Sequence, residues 1–328
     1  MTEPVTSRQG FRIARTHLVR AVGVGIVVLL FVWQRDRVFA AGQLLKHADP
    51  LYWGLAAVLQ FTCLYIAAIR LGVLLRAVGH SIPQRTLYAD LVCAFALNTA
   101  MFLGVGDLYR VKRTNQHVGN IALVSGVIVL DRIFGLAMIC ALAVVSLAII
   151  QTQSDAQSTA SGFQLHYSHL LLALALFVVA AAVVRIIAKR SNHKLWRDIQ
   201  RPFIAVVARP FIGLKAALAS MGLSLVWLAS IVLVARALGI EAPILALVFA
   251  ATVVAVATVL PVSIGGIGLR EAGYTLLLAS YGVETAQAIA LGVAQYALFL
   301  PVMMAGAVIG TIRYRSQDRA QAPEQATL

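Results

Sequence analysis

Charge is what this chain has least of: 12% of its 328 residues are Asp, Glu, Lys or Arg, 60% are hydrophobic, and the mean hydropathy is +0.86. So few charges cannot cover the surface of a water-soluble domain of this size, which points to a polytopic helical membrane protein. Cysteine is scarce too. Cys63, Cys93 and Cys140 each lie in a separate apolar run without metal-ligand spacing, and they read as small buried residues. Acidic residues number 13 against 27 Lys and Arg, a net charge of +14. That excess does not call for nucleic acid, because the bases sit in short loops beside apolar runs with no interleaved aromatic patch. Topology and anionic headgroups explain it better. There is also no Walker loop, dinucleotide fingerprint, metal-ligand His pair at helical spacing or Gly-x-Ser-x-Gly elbow, so no catalytic residue, cofactor or metal is expected.

What is present is a series of apolar runs at 18–39, 51–75, 86–106, 119–150, 166–188, 213–236, 243–281 and 286–312. A helix needs about 20 residues to cross a core of about 30 Å. The first run follows Arg8, Arg12, Arg15 and Arg20 and lacks a small-residue cleavage site, so it reads as a retained helix, not a signal peptide. Loop charge then sets the crossings. Residues 151–169 contain no Lys or Arg, whereas 185–215 contain eight, which places the first outside and the second inside. A crossing by 86–106 would put Arg110, Lys112 and Arg113 outside and invert both of those loops, so residues 86–110 are expected to dip in from the cytoplasm and return. Arg313, Arg315 and Arg319 belong inside, which makes 243–281 a second dip from the opposite face. The expected fold is all-α: six spanning helices plus two oppositely oriented re-entrant hairpins in an inverted-topology repeat. Residues 1–150 form the first repeat, with its hairpin near 86–110. Residues 151–328 form the second, with its hairpin near 243–281 and a short disordered C-terminal tail. Such repeats hold substrate where interrupted segments meet.

The polar interruptions mark the candidate site. Residues 260–271 set Pro261, Gly265, Gly266, Gly268, Arg270 and Glu271 inside an apolar stretch, and broken charged backbone at membrane depth needs surrounding protein or water. N–H groups freed near Gly266 and Gly268, with the fork of Arg270, suit an anion; alternatively Glu271 only neutralises Arg270 and the glycines serve packing. Asp107 and Arg110 share one face of a helix restarting after Gly104-Val105-Gly106, as a site or as an interfacial ion pair. Asp131 and Arg132 lie deep in the 119–150 run, where charge needs a partner or water; a structural tie to the hairpin is the alternative. Asn98, Gln60 and Gln295 sit mid-run and read first as interhelical hydrogen-bond glue. Residues 189–209, with Trp196 and Pro202, read as an amphipathic interfacial connector.

At these residues the chain resembles the lysylphosphatidylglycerol synthase transmembrane-domain family, flippase-like proteins that include the lipid-translocating half of the bacterial multiple peptide resistance factor. The marks run in order: Asn98 with Gly106-Asp107-x-x-Arg110, Asp131-Arg132 with Gly135-Leu136, and Pro261-x-Ser263-x-Gly265-Gly266-x-Gly268-x-Arg270-Glu271. The family's first motif ordinarily has a proline and a Glu where this chain has Phe102 and Asp107. The aminoacyl-lipid synthase domain of some relatives has no counterpart in the sequence, so the resemblance does not imply synthesis of a lysyl lipid. It implies a lipid flippase or transporter of the bacterial inner membrane; the loop charges place both termini in the cytoplasm, and without catalytic motifs no enzymatic activity is expected. Arg110, Arg132, Arg270, Ser263, Gly266, Gly268 and Asn98 are then expected to bind an anionic lipid or lipid-linked substrate. Asp107, Asp131 and Glu271 hold those arginines or carry protons. Two alternatives stand beside this: an accessory subunit for a lipid- or glycan-biosynthesis enzyme, handling a glycolipid, polyprenyl-phosphate or hopanoid intermediate, and a secondary transporter of a small anion. A lipid path predicts a lateral apolar opening beside the charges. A small-anion path predicts a closed polar vestibule.

Overall fold

The structure, a computed structural model, describes residues 48–100, 104–156, 194–259 and 268–321. The runs at 18–39 and 166–188, together with Ser263 and Gly266, lie outside the described residues. The described chain is all-helical, with nine α-helices and no strand. In order they are α1 (Pro50–Ala77), α2 (Gln84–Ala100), α3 (Val105–Val118), α4 (Ile121–Ala156), α5 (Lys194–Ala208), α6 (Pro210–Ala237), α7 (Ile244–Val259), α8 (Leu269–Leu278) and α9 (Thr285–Gln321). Four stretches are long and apolar enough to cross a membrane: Pro50–Ala77, Ile121–Thr152, Pro210–Ala237 and Thr285–Arg313. The shortest has 28 residues, about 42 Å at the usual helical rise, against a hydrocarbon core of about 30 Å. This is a multi-pass membrane protein.

Local chemistry sets the limits of α1. Asp49 caps its start by accepting from Leu51 N–H at 2.8 Å, and Pro50 occupies the first turn, where its missing N–H costs nothing. At its end Gly79 takes φ +89°, His80 N–H returns to Leu75 O at 3.0 Å and Gly79 N–H to Arg76 O at 3.2 Å. This is the paired closure that a left-handed glycine permits. The same closure recurs 160 positions later on α6: Gly239 has φ +69°, Ile240 N–H bonds Ala235 O at 2.9 Å and Gly239 N–H bonds Arg236 O at 3.0 Å. Both copies carry Arg-Ala-Val/Leu-Gly followed four residues on by a proline, Pro83 or Pro243.

α1 and α6 pack along their lengths in opposite directions. Asp49 N–H reaches Ala237 O at 3.1 Å at one end, Cys63 Sγ faces Leu223 O at 3.8 Å mid-way, and Arg70 meets Ser220 beyond it. α2 and α3 also run antiparallel, with Arg113 against Asp90 and Gly106 against Ala94 and Asn98. They touch backbone to backbone: a Cβ at Gly106 would stand 2.0 Å from Ala94 O. Among the described residues two large apolar cores result, beside two small clusters. One centres on Tyr274, Leu278 and Leu291 among α6 to α9, the other on Leu71, Leu87 and Val127 among α1, α2 and α4. Cys63 and Cys93 are buried and Cys140 half-buried, all as free thiols. The connector helix α5 lies on α4, where Gly126 admits the Ile199 backbone and Asn120 Nδ2 donates to Asp198 at 2.9 Å.

Candidate functional site

The turn between α2 and α3 sets up the site. Asn98 Oδ1 accepts from Gly106 N–H at 2.8 Å and Gly104 N–H at 3.2 Å, so the first free N–H groups of α3 are already occupied by a side chain from α2. With Gly106 pressed on α2, the next turn of α3 presents Asp107 and Arg110 to α4. Arg110 Nη2 donates to Asp131 Oδ2 at 2.9 Å, and Arg132 Nη2 donates to both Asp107 oxygens at 2.8 and 3.0 Å. Asp107 Oδ1 also faces Arg110 Nη1 at 3.4 Å. Asp131 and Arg132 thus do not pair with each other. Neighbours on a helix diverge by about 100°, so Asp131 points inward, 2% exposed, while the Arg132 side chain stays 56% exposed.

Asp131 has a second cation. Arg70 on α1 donates from Nε to Asp131 Oδ1 at 2.6 Å and from Nη1 to Ser220 Oγ at 3.0 Å, and Ser220 passes the bond to Ala216 O at 2.9 Å. One carboxylate therefore ties α1, α3 and α4 together, with α6 reached through Ser220. Neither Arg70 nor Ser220 is among the sequence-derived candidates. Arg70 lies inside the 51–75 run, the same depth signal that marks Asp131. Asp90 on α2 is a second node, buried between Arg113 of α3, at 3.3 Å, and Arg313 of α9.

The remaining candidates form a separate group on α8. Gly268 caps this helix with φ +83°, and its N–H donates to Glu271 Oε2 at 2.8 Å. Glu271 thus occupies the N–H that the sequence offers to an anion. Arg270 turns away, its guanidinium 4.9 Å from the Tyr296 ring centre, 5.6 Å from that of Phe299, and 3.5 Å from Gln295 Oε1. Gln295 Nε2 in turn donates to Tyr274 OH at 2.6 Å. Phe299 meets Phe95 edge to face at 5.1 Å, one turn before Asn98, so aromatic contacts carry the link from α8 to the α2–α3 turn. Counted from the capping glycines Gly104 and Gly268, Asp107 corresponds to Glu271, Arg110 to Tyr274 and Asp131 to Gln295. The Arg110–Asp131 and Tyr274–Gln295 bonds thus stand 164 positions apart in the sequence, one pair charged and one neutral.

Beside the first group runs an open groove of about 370 Å³ between α3 and α4. Leu108, Val111, Ile128, Val129 and Leu136 wall it, and Asp107 and Arg132 border it. Among the described residues no group of His, Cys, Asp and Glu is arranged to hold a metal. The family model for the lysylphosphatidylglycerol synthase TM region matches residues 19–306. The chain belongs to this family. No curated protein and no solved structure matches it. The family match spans every described helix from α1 to the middle of α9, and thus both charged groups.

Proposed function

We propose that this family member moves an anionic phospholipid or lipid-linked intermediate across the bacterial inner membrane, without covalent chemistry. The groove between α3 and α4 carries the reading: its walls are apolar and its border is an ion pair with a half-exposed arginine, which matches the two chemistries of a lipid. A small inorganic anion has no use for such walls. The headgroup phosphate engages Arg132 in competition with Asp107, and an acyl chain lies along Leu108 and Val129. Arg270, backed by two aromatic faces, supplies the corresponding cation on the other group.

An inverted repeat would support such movement. The recurrent closure of α1 and α6 and their antiparallel packing fit two halves related by a two-fold axis in the membrane plane. Cys63 packs on Leu223, its own counterpart 160 positions on, as a residue beside such an axis must. α2 with 17 residues and α7 with 16 fall short of the roughly 20 needed to span, as re-entrant arms do. Both termini and residues 110–118 then face the cytoplasm, by the loop charges.

The test is reconstitution in proteoliposomes with a fluorescent phosphatidylglycerol, scored by its accessibility to a membrane-impermeant quencher. Wild type accelerates exchange between leaflets, and Val129→Trp, which fills the groove, abolishes it while melting normally. Binding without exchange in wild type would replace the transport reading with the accessory-subunit one.

A further inference from the structure

We propose that Arg70 is a positioning residue that allows Arg110 to leave Asp131 and bind the headgroup phosphate. The inference rests on the lipid reading above. Arg70 and Arg110 hold different oxygens of Asp131, at 2.6 and 2.9 Å, so neither must move for the other to stay. A buried carboxylate stripped of its only cation is strongly destabilised. With Arg70 in place, Asp131 is never stripped. Arg70 itself is fixed, because Ser220 binds its Nη1 and the absence of a side chain at Gly135 makes room for its guanidinium; a Cβ there would lie 3.3 Å from Nη1 and 3.6 Å from Nη2.

Arg110 is the looser of the two. It is 4% exposed, its Nε has no hydrogen-bond partner among the described residues, and its contact to Asp107 is long at 3.4 Å. Asp107 connects it to the groove, since the same carboxylate binds Arg132 at 2.8 Å. A phosphate that displaces Asp107 from Arg132 therefore meets Arg110 next. Three arginines share two aspartates in this network, and an anionic headgroup balances the remaining positive charge. Arg70 touches no substrate in this scheme. It sets the ease with which Arg110 is released.

The experiment measures binding of fluorescent phosphatidylglycerol to the full chain in phosphatidylcholine nanodiscs, with unlabelled phosphatidylglycerol, phosphatidylcholine and inorganic phosphate as competitors. Wild type is expected to prefer phosphatidylglycerol and to ignore millimolar phosphate. Arg70→Gln leaves Arg110 as the sole cation on Asp131 among the described residues, and affinity should fall about tenfold or more. Arg70→Gln with Asp131→Asn frees Arg110 again and should recover affinity to within about threefold of wild type, a rescue that a purely structural role would not give. Gly135→Val displaces Arg70 without changing any charge and should weaken binding as Arg70→Gln does. Arg70→Gln that binds like wild type, or a double variant no better than the single, overturns the Arg70 proposal alone; if Arg70→Gln does not fold, the Gly135→Val result decides in the same way. Absence of any preference for phosphatidylglycerol in wild type overturns the lipid reading and the proposal with it. Equal competition by inorganic phosphate, with the Arg70 effects intact, keeps the exchange at Arg110 and overturns only the lipid as its source.

Discussion

Gly106→Ala should damage this protein more than any other single methyl group added to the α2–α3 hairpin. The new Cβ would stand 2.0 Å from Ala94 O and 2.7 Å from Asn98 Cγ, whereas a carbon ordinarily meets a carbonyl oxygen at about 3.3 Å or more. The obstacle is backbone, so no rotamer change relieves it, and α3 must retreat by about 1 Å. Overpacking of this kind costs about 1–3 kcal/mol. Retreat also stretches the two bonds to Asn98, each worth about 1 kcal/mol, for a total of about 3–5 kcal/mol. The same movement shifts Arg110 relative to Asp131, which it now meets at 2.9 Å, so lipid binding should weaken with stability. Gly104→Ala is the control. Its φ of +106° disfavours a side chain, but nothing among the described residues lies within 4 Å of the added carbon, and a left-handed alanine costs about 1–2 kcal/mol. Denaturant titration of both variants in detergent gives the comparison. If Gly106→Ala is no more destabilising than Gly104→Ala, the backbone contact does not define this hairpin.

Asn98→Ala removes the acceptor for two N–H groups and should cost about 2 kcal/mol by the same titration, without altering any charge. Asp90→Asn leaves Arg113 and Arg313 facing a neutral partner and should destabilise by about 3 kcal/mol; no loss in that titration would show that the carboxylate does not hold this node. His117→Cys in a cysteine-free background should react with an impermeant maleimide only from the cytoplasmic side, and labelling from the periplasm would invert the first hairpin.

The sequence shows the first charged group because ionisable residues deep in an apolar run stand out on cost alone. Their partners are less visible. Asp131 and Arg132 invite pairing as neighbours, yet the helical turn separates them, and the ion pairs form with Asp107 and Arg110, more than 20 positions away. Arg70 escapes notice for a different reason. It lies inside its run but only six residues before Arg76, so its depth signal is weaker than that of Asp131. Only the three-dimensional crossing of α1 and α4 shows that it faces inward. On α8, Glu271 follows Arg270 directly and looks like its counter-ion, but a Glu three residues past a helix cap has the reach to close the cap, and this one does. The four long helices follow from apolar length. The strongest internal echo, the closing turns at Gly79 and Gly239, is written in Arg-Ala-x-Gly-x3-Pro and is easily passed over beside the glycines of the hairpins.

On the proposed repeat, the unequal bonds at positions 164 apart have a directional consequence. Arg110–Asp131 is an ion pair and Tyr274–Gln295 a neutral hydrogen bond, and charge-assisted bonds are roughly twice as strong as neutral ones. If the two halves take turns in opening, the state that breaks the neutral bond is reached more readily than the state that breaks the ion pair. An idle protein would then rest with one face closed, and an arriving anion, by relieving the ion pair, would lower the barrier on that face alone. Even were the two halves related by a two-fold axis, the behaviour would be that of a rectifier whose threshold is set by the cargo.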